Sequence, residues 1–127
     1  MRAAPTRKKL TGFAHVLAAA SFSMGGLARL RQEAAFRQEI AAGFGLSGVY
    51  LWLAVDAGTA LTAAVLFLLL IAAEAFNTAI EVIVDRISPE ISETGRHAKD
   101  LGSLAVFCLV LANGLLLLYT LAMAFLS

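Results

Sequence analysis

The residues best suited to chemistry in this 127-residue chain are acids set among apolar neighbours. Glu74, Asn77, Glu81 and Asp85 follow one another at steps of three, four and four. At 100° per residue they fall at about 0°, −60°, −20° and +20°, one stripe on one helical face. A charged side chain at mid-bilayer costs at least about 2.5–3.5 kcal/mol, so such a stripe requires a partner helix, a cation or protonation. Asn77 or Asn113 alone reads as polar glue between helices. Three acids on one stripe are too costly as adhesive.

Further candidates gather at the starts of the first and last apolar stretches. Glu33 and Glu39 flank Phe36-Arg37-Gln38, and Lys99-Asp100, followed by Ser103, opens the last apolar run. Glu81 with Glu33 offers a seat for Mg2+, which takes one or two carboxylates plus phosphate oxygens. Lys99 can meet phosphate charge. Glu74 lies about 16 Å along the axis from Asp85 at 1.5 Å per residue, deep enough to accept a proton from a hydroxyl arriving within the lipid layer. Interfacial salt bridges would account equally for Lys99, Asp100 and Arg37.

Composition says where these residues must work. The chain is 60% apolar and 15% charged, against about 45–50% and about 25% in soluble domains. A chain this short cannot hide that excess hydrocarbon in one water-soluble core. Ten basic residues against nine acidic give a net charge of +1, which argues against a nucleic-acid binder. Cys108 is the single cysteine, so there is no disulfide framework and no thiolate metal cluster. The expectation is a small integral membrane protein of one domain.

Three apolar stretches supply the spans. The first, Ile40 to Val55, is marginal unless Ala34-Ala35-Phe36 extends it; the second runs from near Thr59 to Asp85; the third, Leu101 to Leu126, has no charged residue. Asp56-Ala57-Gly58 reads as a short turn, and Arg86 to Asp100 as a polar loop with Pro89 and Gly95 as breakers. Arg2, Arg7, Lys8, Lys9, Arg29, Arg31 and Arg37 precede the first stretch, and Arg86, Arg96 and Lys99 lie in the second loop or at its edge. The Asp56 turn and the C-terminus have none. With three spans both basic regions share one side, which the positive-inside rule makes cytoplasmic.

Leu10, Phe13, Leu17, Ala20, Met24 and Leu27 recur at helical steps after Arg7-Lys8-Lys9. That pattern describes a helix lying along the membrane surface. A signal peptide is the rival, but His15, Ser21 and Ser23 weaken its apolar core. Gly43-Phe44-Gly45-Leu46-Ser47-Gly48 matches G-x-G-x-x-G, yet no strand precedes it and it lies inside an apolar stretch. Its small residues suit close helix approach instead.

Glu33-Ala34-Ala35-Phe36-Arg37-Gln38-Glu39, the block from Glu74 to Ile87, and Ala98-Lys99-Asp100-Leu101-Gly102-Ser103 together resemble the bacterial integral-membrane diacylglycerol kinase family. The resemblance runs from about Thr11 to the C-terminus, and Glu-x-x-Asn-x-x-x-Glu-x-x-x-Asp is its most specific part. The family includes undecaprenol kinases, and Glu-Ala-Ala-Phe-Arg-Gln-Glu is more similar to the diacylglycerol branch.

The resemblance implies an all-α, homotrimeric membrane protein with an N-terminal amphipathic surface helix over residues 7–32 and transmembrane helices over 34–55, 59–86 and 99–126. It implies transfer of the γ-phosphate of ATP, with Mg2+, to diacylglycerol or a similar lipid alcohol, at the cytoplasmic face of the inner membrane. The N-terminus is then cytoplasmic and the C-terminus periplasmic. Carried over residue by residue, Glu74 matches the general base, and Glu33 and Glu81 match metal and nucleotide ligands. Glu90, Lys99 and Asp100 match nucleotide-binding positions. Ala35, Phe36, Arg37, Gln38, Glu39, Trp52, Asp56 and Ser103, with Glu74, match the lipid site, and Asn77 and Asp85 its architecture. His15 and Phe22 stand where the family commonly has other residues, and Arg96 lies in a loop one residue longer than usual, so none of the three is carried over. The rival class is a small ion or proton transporter using the intramembrane acids. Lys99-Asp100 and Glu33 at one membrane face are not needed for such a path.

Overall fold

A computed structural model describes residues 8–90 and 92–127. Arg2 and Arg7, counted in the charge asymmetry, and the start of the expected surface helix lie outside the described residues. Four helices follow in order: α1 (Gly12–Leu30), α2 (Ala34–Trp52), α3 (Ala57–Ile87) and α4 (Glu93–Leu126). The described residues contain no strand.

The helix ends follow from local chemistry. Asp56 caps α3, its side chain accepting the Thr59 N–H at 2.7 Å. Ser92 caps α4 by accepting the Gly95 N–H at 3.0 Å, and Glu93 places negative charge in the first turn. These caps move two boundaries. Ala57 and Gly58, read as turn, are already helical, and α4 begins six residues before the expected residue 99. Gly95 breaks nothing. It is buried in the first turn of α4, where a side chain would meet Ser92 Oγ at 2.9 Å and Val84 Cγ1 at 3.0 Å.

α2 ends differently. The Val55 N–H returns to the Tyr50 carbonyl (3.3 Å) and the Ala54 N–H to that of Leu51 (3.1 Å), the double bond of a Schellman stop. The left-handed residue this stop requires is Ala54, with φ of 51°, where glycine is usual.

α4 packs antiparallel along α3, and this pairing dominates the fold; α1 and α2 touch α3 only over short stretches. Asn113 ties the pair at depth, its Nδ2 donating to the Leu66 carbonyl at 3.2 Å. Buried apolar residues are few: Leu30, Phe36, Tyr50 and Leu70. Phe13, Phe44, Leu51, Phe76 and Leu115 are exposed, so a single chain leaves its hydrocarbon for lipid or other copies to cover.

Among the described residues three helices are long and apolar enough to cross a membrane: α1, α3 and α4. α2 is not among them, because Arg37 and Glu39 stand in its first turns and Gly43, Gly45, Ser47 and Gly48 dilute the rest. α1 and α2 are equally long at 19 residues, so composition alone makes α1 and not α2 a candidate span, whereas the sequence expectation has α2 crossing and α1 on the surface.

Candidate active site

The stripe on α3 is buried at Glu74 and Asn77 and emerges to the surface at Asp85. Glu74 is 4% exposed, Asn77 and Thr78 beside it are buried, and Glu81 one turn on is half-buried. A carboxylate is almost never this buried without a partner. On α2 Glu39 faces it closely enough for the two carboxyl groups to feel each other's charge, and Glu39 Oε2 is sealed from solvent with no hydrogen-bond partner among the described residues. Glu81 and Glu33 lie within Coulombic reach of Glu74.

The rim of this acidic group is organised by cations. Lys99 on α4 donates to Asp85 at 2.6 Å and feels the charge of Glu81. Arg29, in the last turn of α1, donates to Glu33 Oε1 at 2.7 Å. Asn77 Nδ2 donates to Glu81 Oε1 at 3.4 Å. Asn77 Oδ1 is buried without a donor.

The structure therefore brings Glu33, Glu39, Glu74, Asn77, Glu81, Asp85 and Lys99 to one end of the α3–α4 pair. Phe36, between Glu33 and Glu39 on α2, is buried, while Ala35, Arg37 and Gln38 face outward at the start of α2. Leu27, Arg31, Gln32, Phe36, Arg37 and Ile40 line an open crevice of about 690 Å³ at the α1–α2 elbow. It joins two guanidinium groups to an apolar floor. Asp100 and Ser103 are exposed on α4, and Glu90 is exposed in the bend after α3.

Two expected lipid-site residues lie elsewhere. Trp52 closes α2 and packs its ring against Phe125, centroids 6.1 Å apart. Asp56 starts α3, eighteen residues before Glu74, or about 27 Å along the axis. Within one chain neither approaches the buried acids, and Asp56 serves as a helix cap. A larger, mainly apolar groove of about 740 Å³ between α2 and α3, walled by Tyr50, Leu51 and Phe67, reaches from Ile40, next to Glu39 in sequence, to Val55.

Oxygen donors alone face the site, a set suited to a hard cation. Among the described residues no three histidine, cysteine or acidic side chains close on one point. Mg2+ at phosphoryl-transfer sites needs no such cage, because phosphate oxygens and water fill most of its positions. Glu81 and Glu33, both within Coulombic reach of Glu74, offer the carboxylate oxygens such a cation takes.

Two features escaped the sequence reading. The Glu39–Glu74 contact joins residues thirty-five apart on different helices. Gly102 was legible only as a small residue three positions after Lys99, yet a Cβ there would lie 2.5 Å from Asn77 Oδ1.

Residues 21–121 match the prokaryotic diacylglycerol kinase family. A diacylglycerol kinase of Sinorhizobium sp is 51% identical over 112 residues, covering 88% of this chain and 82% of the relative. That of Escherichia coli (strain K12) is 41% identical over 102 residues, 80% of this chain and 84% of the relative. That of Pseudomonas aeruginosa is 40% identical over 101 residues, with shares of 79% and 82%. Matches of this breadth make the chain a member of the prokaryotic diacylglycerol kinase family.

Proposed function

We propose that the chain is an ATP- and Mg2+-dependent lipid kinase that converts diacylglycerol to phosphatidic acid at the cytoplasmic face of the bacterial inner membrane. The observation that carries this reading is the burial of Glu74 directly beneath a rim of Glu81, Asn77 and Lys99. A water-soluble reactant reaches the rim, and a lipid hydroxyl reaches the buried acid from the hydrocarbon side.

Glu74, as carboxylate, takes the proton of the lipid hydroxyl. The hydroxyl oxygen bonds to the γ-phosphorus as the bond to the β-bridging oxygen breaks, giving phosphatidic acid and ADP. Mg2+ bound with ATP supplies charge neutralisation on the phosphates. Glu33 and Glu81 are the residues to hold it, with Lys99, Asp100 and Glu90 toward the nucleotide. Positioning and electrostatics provide most of the acceleration in phosphoryl transfer.

In this reading α1 lies on the cytoplasmic surface and α2, α3 and α4 cross the bilayer. Arg37 and Glu39 stay near the headgroups, which relieves α2 of its charges. Homotrimers cover the exposed apolar faces, and the remote Trp52 and Asp56 contact lipid at the opposite end. The N-terminus is cytoplasmic and the C-terminus periplasmic. The acids gather at one end of the helix pair rather than along a path, which favours a kinase over an ion or proton transporter. The relatives' names favour diacylglycerol over undecaprenol.

The test is transfer of label from γ-labelled ATP by purified protein in mixed micelles, with diacylglycerol and undecaprenol in competition. Labelled phosphatidic acid as the main product is expected. Preferential labelling of undecaprenol would reassign the substrate, and ion flux without a phosphorylated lipid would overturn the kinase reading.

A further inference from the structure

Asn77 is held by shape more than by hydrogen bonds. It is 9% exposed, its Nδ2 makes one contact, to Glu81 at 3.4 Å, and its Oδ1 is closed off without a donor. The surface against Oδ1 is the backbone of α4 at Gly102. A Cβ there would stand 2.5 Å from Oδ1 and 3.4 Å from both Asn77 Cγ and Ile80 Cδ1. The first contact is too short to survive, so either Asn77 would turn or α4 would retreat.

Retreat is opposed on both sides. Lys99, three residues before Gly102, is tied to Asp85 on α3 at 2.6 Å. Asn113, eleven residues after it, is tied to the Leu66 carbonyl at 3.2 Å. With α4 packed along α3 on both sides of Gly102, the crowding falls on the Asn77 side chain. Glycine is also a poor choice for a helix interior on propensity alone. Its place here is explained by the contact it permits.

We infer that Gly102 is a positioning residue for Glu81: its bare backbone lets the Asn77 amide lie under α4 with Nδ2 turned toward the Glu81 carboxylate. This rests on the reading of Glu81 as a metal and nucleotide ligand. Gly102 touches neither reactant. It acts through Asn77, which aims one of the carboxylates that meet Mg2+·ATP.

The experiment is a mutant cycle between Gly102→Ala and Asn77→Ala in the full-length protein in micelles. Binding of Mn2+, standing in for Mg2+, with a non-hydrolysable ATP analogue is followed by electron paramagnetic resonance alongside steady-state kinetics. Losing a hydrogen bond to a charged group predicts binding weakened on the order of tenfold in Gly102→Ala. KM for Mg2+·ATP should rise by a similar factor while KM for diacylglycerol holds. In the Asn77→Ala background the added methyl has nothing to displace, so Gly102→Ala should produce no further loss. Gly114→Ala adds the same methyl to α4 where no atom lies within 4 Å, and should bind as wild type.

Unchanged binding in Gly102→Ala, or an equal loss with and without Asn77, overturns the inference. If Gly102→Ala does not fold, the double variant decides: folding with the binding constant of Asn77→Ala supports the role, and failure to fold makes Gly102 a packing residue only. Wild-type protein that binds no Mn2+–nucleotide would instead refute the assignment of Glu81, a separate result.

Discussion

Lys99 Nζ lies 2.6 Å from Asp85 Oδ1, joining the early turns of α4 to the last turns of α3 at the rim of the buried acids. An ammonium has three donors, so this bond leaves two for a phosphate and fixes their direction. Both side chains are substantially exposed, at 40% and 67%, and exposed pairs add little to stability. Asp85→Asn should therefore leave thermal stability near wild type while raising KM for ATP several-fold. Lys99→Met should raise it further. Steady-state kinetics beside a thermal melt in the same detergent checks both.

Glu74→Gln keeps the shape of the buried side chain and removes its basicity. General-base catalysis contributes about 10²–10⁴-fold, so turnover should fall by that range while assembly in detergent is unchanged. Near-normal turnover by a purified, assembled variant would remove Glu74 from the mechanism.

Ala54 occupies the left-handed position of the α2 stop with φ of 51°. A side chain in that conformation costs about 1–2 kcal/mol. Ala54→Gly should relieve about 1 kcal/mol of it, net of glycine's greater freedom when unfolded. Reversible denaturation in micelles should show the gain, with activity unaltered because the turn is remote from the acids.

Asp56 accepts the Thr59 N–H, and that hydrogen bond holds its carboxyl below the usual aspartate value. A depressed value means the cap contributes fully above the unfolded value of about 3.9 and weakens as pH falls through the lower folded value. Asparagine caps comparably without titrating. Wild type should thus lose stability relative to Asp56→Asn on acidification, and the two should differ by a pH-independent amount near neutrality. Parallel melts across the acid range measure this.

Asn113 Nδ2 also donates to Leu109 O within α4, at 2.7 Å, besides its bond to Leu66 O. Interhelical hydrogen bonds in membranes average about 0.6 kcal/mol and reach about 1.7. Asn113→Leu should lose no more than that in unfolding measurements, with catalysis largely retained.

Periodicity and composition by themselves determined the apolar helices, the placing of Glu74, Asn77, Glu81 and Asp85 on one helical face, and the basic asymmetry. Each depends on residues a few positions apart, where the helix fixes geometry without help. Helix starts were less legible, because Ser92 and Asp56 act as caps only once the following turn forms. The tertiary structure decided what pairing alone can decide. Glu39 meets Glu74, Lys99 meets Asp85, and Asn77 lies against Gly102 because helices distant in sequence approach closely, α4 along α3 above all. Trp52 and Asp56 are placed by the same rule: on rigid helices, residues about 27 Å away along the axis cannot share the acids' end of one chain.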